Sequence, residues 1–533
     1  MTAKSKSFVK GAAILAVSGI ICKVVGAVYR IPLSNMIGQE GMGNYQMVYP
    51  VYSLLLVLST SGLPIAISKL VSEKRARGDI EGARRVYHVS MVSLVILGLV
   101  TSLALFAAGD LLAVAFGMPS AAISFKIIAP SLIFVAVVSA YRGYFQGMQM
   151  MTPTAVSQVV EQICKLLAGL YFAGQWVSYG PEYGAAGAIL GVTIGEGVSF
   201  VMMFCFFHGH RHKQHYKPLG RERGKFRETL EQVARIALPV TVGSCVMPIV
   251  SAIDSMVVMR VLTGSGYTQA AASSLFGLLN GFVHPLVNMP AVFSGAVAIS
   301  LVPAISAARA QKRRELVGYQ TSFGLRLSIL IGLPCAVGFF LLAEPILGTL
   351  YHSLSPDDLT RAAGLLRLMC PGIFFLSVIQ IQTGVLQGMG KTVIPVLNMA
   401  FGSVVKVFLG VALIRIPSVN IEGAAIGSMV CFALAALLNT SAAMGYGGVR
   451  WNTRELLLRP LLATAGMGAG LLVLYRVLTP LGQGKALILS VLASAVIYAI
   501  LLLITGCIRR EDMRYFPGGG RIAGVMQKTG IWR

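Results

Sequence analysis

The sequence predicts an all-α integral membrane protein of about fourteen transmembrane helices, and three observations carry that prediction. Hydrophobic residues make up 56% of the 533 residues and charged residues only 12%, against about 25% charged in soluble domains, so no soluble fold can hide the apolar surface. Apolar stretches of about 20 residues, enough to cross a hydrocarbon core of about 30 Å, recur along the whole chain. The segments between them alternate sharply in basic content, as they do when a chain crosses a bilayer repeatedly.

The first span, 10–33, follows Lys4, Lys6 and Lys10. A signal peptide begins in the same way, but the apolar run continues past Arg30 and no soluble mature domain follows, so this is the first membrane helix, entering from the cytoplasm. Further spans are expected at 45–69, 87–108, 124–147, 153–175 and 184–207, then at 233–262, 272–303, 322–346, 363–388, 393–415 and 422–445, and finally at 459–478 and 486–507. One set of loops is rich in Lys and Arg, among them Lys69, Lys74, Arg75 and Arg77, then Arg211, Lys213 and Lys217, then Arg309, Lys312, Arg313 and Arg314. The other set, at 34–44, 109–122, 175–183, 263–271 and 347–360, has neither residue. The positive-inside rule then places both termini in the cytoplasm, which requires an even number of spans.

Lys and Arg outnumber Asp and Glu by 44 to 20, for a net charge of +24. In a soluble chain that excess suggests nucleic acid. Here the anionic leaflet explains it, so anionic membrane lipids are expected partners and nucleic acid is not. The eight cysteines lie singly in apolar stretches without metal-ligand spacing and read as packing residues. His208, His210, His212 and His215 alternate with Arg211 and Lys213, which would repel a metal cation, so the segment reads as a lipid-facing basic loop.

Three short matches recur at nearly one offset and at the same place in the helix count. Ala66-Ile67-Ser68 returns as Ala304-Ile305-Ser306, Gln146-Gly147-Met148 as Gln387-Gly388-Met389, and Gly184-Ala185-Ala186 as Gly423-Ala424-Ala425. A duplication of six spans follows, with both halves in one orientation. The expected organisation is an N-terminal lobe over 1–207, a basic linker over 208–232, a C-terminal lobe over 233–446, two extra helices over 447–507 and a basic tail over 508–533. The loops are too short for a catalytic domain, so no enzyme activity is expected and any chemistry belongs inside the bundle.

Ionisable groups within spans are costly and mark function or internal pairing. Lys23 and Arg30 share one face of the first helix with Gly19 and Gly26, and two cations without a nearby acid suit a phosphate or diphosphate. Arg30 alternatively reaches the interface and leaves Lys23 alone inside. The fifth helix carries Gln158, Glu161, Gln162 and Lys165 on one face. Glu161 and Lys165 stand in the order that favours an intrahelical pair, and they can also line a cavity. Lys406 occupies the place equivalent to Lys165 in the second repeat, where Gly402 stands instead of the acid. Asp254 and Glu196 are intramembrane acids that would admit Na+ or H+ as a coupling ion; each alternatively pairs with a neighbouring cation. Arg326 is of the same kind. Ser355, Pro356, Asp357 and Asp358 read as a helix start.

The segment RGYFQGMQMMTPTAVSQVVEQ, 142–162, resembles a signature of the oligosaccharide flippases of the multidrug/oligosaccharidyl-lipid/polysaccharide exporter superfamily, a group that includes stage V sporulation protein B and MurJ-type lipid II flippases. GLPIAISKLVSE (62–73), LVPAIS (301–306) and LQGMGK (386–391) support the resemblance. It implies two six-helix lobes around a central cavity with alternating access, and movement of a polyprenyl-diphosphate-linked sugar from the inner to the outer leaflet of a bacterial plasma membrane. It also implies a basic cavity to which the first helix contributes, with Lys23 near one basic position. At Tyr29 and Arg30 the sequence departs from the MurJ pattern, which has Arg followed by an acid. Such a protein would serve peptidoglycan, spore-wall or polysaccharide synthesis beside cell-wall enzymes. The competing classes are a cation-coupled multidrug antiporter of similar fold, with Asp254 as the coupling site, and a membrane glycosyltransferase, which the short outer loops disfavour.

Overall fold

The computed structural model describes residues 3–213, 226–449, 456 and 458–507. The middle of the expected linker, including Gln214, His215 and Lys217, and the whole tail over 508–533 lie outside the described residues. The chain divides into two compact units, Met1–Phe282 and Val283–Arg533. The first contains α1 (Ala3–Thr60), α2 (Gly62–Ala76), α3 (Ile80–Ala115), α4 (Ala122–Ile128), α5 (Ser131–Gly147), α6 (Thr152–Trp176), α7 (Pro181–Lys213), α8 (Phe226–Gly264) and α9 (Gln269–Gly277). The second contains α10 (His284–Ala310), α11 (Arg314–Leu341), α12 (Ala343–Leu350), α13 (Pro356–Gly388), α14 (Val393–Ile414), α15 (Glu422–Gly447), α16 (Arg459–Leu478) and α17 (Gln483–Ile504).

Twelve helical stretches among the described residues are long and apolar enough to cross a bilayer. One of them, Val17–Ala76, is 60 residues long and is broken at Gly38, whose φ of 67° only glycine adopts freely. It has the length for two crossings. α6 has the length but falls short in apolarity, because Gln158, Glu161, Gln162 and Lys165 lie along it. Every one of the fourteen expected spans therefore has its helix. The boundaries differ in several places; the span expected over 322–346, for one, is divided at Leu342 between α11 and α12. The loop expected at 34–44 is helical on both sides of Gly38, and the helix expected over 45–69 is interrupted at Ser61. Beside this interruption α2 packs closely on α8, since a β-carbon at Gly62 would collide with the Ala237 carbonyl.

Local chemistry sets the helix starts. Ser355 accepts a hydrogen bond from the Asp358 amide at 3.2 Å, ahead of Pro356 and two acids in the first turn of α13, as its sequence predicts. Asp79 caps α3 by accepting from the Gly82 amide at 2.7 Å.

The duplication is visible in packing within each unit. In the first, Gly143 and Gly147 of α5 admit Pro64, Ile67 and Val71 of α2. In the second, Gly384 and Gly388 of α13 admit Ala298, Val302 and Ile305 of α10. The next helix pair repeats the same way. A β-carbon on Gly191 of α7 would lie 3.0 Å from the Lys165 carbonyl, and one on Gly427 of α15 would lie 3.0 Å from that of Lys406. The two last helices, α16 and α17, pack on each other and on α11 and α12.

Candidate functional site

Arg142 is the hub of a polar cluster in the first unit. Its guanidinium projects from α5 and donates to Glu161 Oε2 of α6 at 2.8 Å, to Ser199 Oγ of α7 at 3.0 Å and to Ser157 Oγ of α6 at 3.2 Å. Both members of the ion pair are largely buried, with side chains 16% and 12% exposed, so the charges meet where partial removal of water strengthens their attraction. Gln162 donates to the other oxygen, Glu161 Oε1, at 3.4 Å. Glu196 of α7 stands beside Glu161, and its Oε2 is buried with no hydrogen-bond partner. A carboxylate pair with one free oxygen is an arrangement that takes up one proton or one small cation.

The intrahelical Glu161–Lys165 pair does not form. Arg142 takes the acid instead, and the Lys165 ammonium lies 5.3 Å from the centre of the Tyr49 ring. The aromatic face offers the cation a partner, and Glu196 of α7 lies within electrostatic reach of it. Tyr49 in turn shares a 2.7 Å hydroxyl contact with Tyr45, and Arg30 lies within electrostatic reach of both tyrosines. Arg142 was the residue that sequence reasoning missed. It was visible as a cation inside an apolar span and as the first residue of the 142–162 signature.

α1 presents three faces beside this cluster. Ser18, Cys22, Tyr29 and Leu33 lie along the packed face: Ser18 donates to Gln158 at 3.5 Å and Tyr29 to the Ala188 carbonyl at 3.4 Å. Tyr29 also fits against Gly169, where a β-carbon would come within 2.5 Å of its hydroxyl. Val17, Ile20, Ile21, Val24 and Val28 form an exposed apolar face, the face that suits lipid. Gly19, Lys23, Gly26 and Arg30 occupy the third. Lys23 is exposed, Arg30 is half-buried, and neither glycine has a neighbour within 4 Å of an added β-carbon. Lys23 therefore stands on an open face that is neither packed nor apolar.

The structure thus brings Glu161, Lys165 and Glu196 together with Arg142. Asp254 is half-buried on α8 beside buried Ser255. Lys406 is half-buried on α14 in the second unit. The positions equivalent to the Arg142 hub hold neutral residues there: Asn398 donates to Asn439 at 2.8 Å, and Asn439 reaches Thr383 at 3.5 Å. Thr383, Asn398, Gly402 and Asn439 stand where the first unit has Arg142, Ser157, Glu161 and Ser199. The charged node is thus confined to one repeat. Arg326 is buried on α11 with its guanidinium 6.0 Å from the Phe323 ring. Among the described residues no group of three or more His, Cys, Asp or Glu could hold a metal.

Comparison with known proteins agrees with this architecture. The family described as polysaccharide biosynthesis protein matches residues 8–309, and the MatE family matches residues 239–412. Stage V sporulation protein B of Bacillus subtilis is 30% identical, over 97% of this chain and 99% of its own. Lipid II flippase MurJ of the same organism is 25% identical, over 98% of this chain and 100% of its own. Among solved structures, lipid II flippase MurJ in an inward closed conformation superposes with a TM-score of 0.68 at 16% identity, covering 92% of this chain and 98% of that one. An inward-facing multidrug resistance transporter of the MATE family gives 0.62 at 17% identity, covering 80% and 94%.

Proposed function

The chain belongs to the polysaccharide biosynthesis protein family, and from that premise we propose that it moves a polyprenyl-diphosphate-linked oligosaccharide from the inner to the outer leaflet of a bacterial plasma membrane by alternating access. The observation that carries this reading is the open face of α1. Lys23 and Arg30 project there with no carboxylate on that face, which suits a diphosphate and not a cationic drug. The relatives named for lipid II flipping and for sporulation support a cell-wall or spore-wall precursor as the cargo. The chain acts as a transporter rather than an enzyme, with both termini in the cytoplasm and Lys165 and Lys406 as further contacts for the anionic headgroup. The N-terminal lobe over 1–207 and C-terminal lobe over 233–446 are its working halves.

Glu196, with its free buried oxygen beside Glu161, is the coupling site for H+ or Na+ in this reading, and Asp254 is the second. A cation-coupled multidrug antiporter is the alternative that the MatE match favours. Depletion of the protein separates the two: a lipid-linked sugar accumulating on the inner leaflet supports the flippase, whereas unchanged lipid-linked sugars with slowed efflux of cationic drugs supports the antiporter.

A further inference from the structure

A cavity of about 740 Å³ opens in the second unit at the turn between α10 and α11. Among the described residues its wall carries Arg309, Lys312, Arg313, Arg314 and Lys391, and no acid. None of the five forms an ion pair among the described residues; Lys391 lies over the Tyr446 ring at 4.6 Å. The volume falls within the range of small-ligand sites, about 300–1,000 Å³. Glu315, next in sequence, is exposed and is not part of the wall.

The equivalent turn of the first unit shows that topology does not demand this arrangement. There Asp79 caps α3 and meets Lys74 at 3.3 Å, and Lys69 approaches Glu73 at 3.9 Å. In the second unit Arg313 holds the capping position of α11 and makes no side-chain cap, so the positive end of a 28-residue helix has no side-chain acceptor from its capping residue. Lys312 takes a left-handed φ of 57° where the first unit uses Gly78. Gly390 has the space that Arg309 needs, since a β-carbon there would lie 2.9 Å from Arg309 Nη1. Cations concentrated in a concavity, where the sister repeat pairs two of its own with acids, are suited to hold an anion.

We propose that this cavity binds the phosphate or diphosphate of a membrane lipid headgroup. A lipid fits better than a free anion because the cavity lies at the ends of membrane-spanning helices, with the exposed Tyr446 ring at its rim. The site stands apart from the transport reading, since a headgroup binds here whether or not the chain moves it.

The test uses the full chain in phosphatidylcholine nanodiscs doped with either undecaprenyl diphosphate or phosphatidylglycerol, with lipid retained on mild extraction counted by native mass spectrometry. Inorganic diphosphate serves as the soluble arm. Arg309→Gln/Arg313→Gln/Lys391→Gln should retain at least about tenfold less of the preferred lipid, as expected when several charge-assisted contacts are lost. Arg309→Lys/Arg313→Lys should retain most of it, and Lys69→Gln/Arg75→Gln/Arg77→Gln, which removes the same charge elsewhere, should retain all. Preference for undecaprenyl diphosphate identifies the carrier lipid, and equal retention of phosphatidylglycerol identifies general anionic lipid. Equal loss in the control triple variant, no loss in the cavity variant, or binding of inorganic diphosphate without either lipid would overturn the proposal. Matching melting temperatures guard against misfolding as the cause of a loss.

Discussion

Arg142 and Glu161 meet at 2.8 Å between α5 and α6, and their pair anchors the only repeat whose hub is charged among the described residues. Removing the cation alone leaves two acids beside each other in a largely buried site. Arg142→Met should therefore cost about 3–5 kcal/mol, the range for breaking a buried ion pair. Arg142→Met/Glu161→Gln should recover much of it, because both charges go together. Thermal unfolding in detergent checks this; equal losses in the single and double variants would show that the pair is not coupled.

Lys165 and Lys406 should differ from what the sequence suggests. Because Arg142 rather than Lys165 pairs directly with Glu161, Lys165→Ala should lose the contact with Tyr49 and the longer-range attraction of Glu196, about 1–2 kcal/mol in all. Transport should fall in both Lys165→Ala and Lys406→Ala if both contact the headgroup. Stability and flipping measured on the same preparations separate these effects, and a large stability loss in Lys165→Ala would contradict the geometry.

Topology is tested by single cysteines in a cysteine-free background. Ser265→Cys and His352→Cys, both at exposed positions in basic-poor turns, should react with an impermeant thiol reagent in intact cells. Gln311→Cys, in a basic turn, should react only after permeabilisation. The reverse pattern would invert the orientation.

Asp79 gives a pH-dependent contribution outside the spans. The hydrogen bond from the Gly82 amide holds its carboxyl below the usual carboxylate range; burial opposes this, and Lys74 and Arg85 add to the lowering. A lowered value in the folded chain stabilises above the unfolded value of about 3.9, and that stabilisation is lost as pH falls through the lower folded value. Exposure of 44% keeps the charge effect small. Asp79→Asn should retain the cap at neutral pH and lose only this dependence, whereas Asp79→Ala should cost about 1 kcal/mol at neutral pH and less as acid protonates the native carboxyl. Melting temperatures across acid pH distinguish them.

The fold was legible because bilayer thickness imposes its length on every span, and because Ile67 with Ile305, and Gly147 with Gly388, kept their identities after duplication. The break at Gly38 was less legible, since helix continues through a segment whose polarity suggests a loop. The site was only partly legible. Helical spacing placed Glu161 and Lys165 on one face, but spacing along one helix favours the local partner, and the stronger partner came from another helix. Arg142 sits near a span end, where sequence alone lets an arginine reach water, and only the fold turns it toward Glu161 and Ser199. The neutral Thr383, Asn398 and Asn439 carry no signal of their own until the repeat aligns them with that hub.

The most direct test of the account is translocation of a fluorescent polyprenyl-diphosphate-linked sugar in vesicles containing the purified chain, read by loss of fluorescence to an impermeant reductant. Movement above protein-free vesicles is expected with the native chain, with loss of that movement in Lys23→Ala at unchanged melting temperature and partial retention in Lys23→Arg, which keeps the charge but not the shape. Movement at the native rate in Lys23→Ala, or none with the native chain, would contradict it.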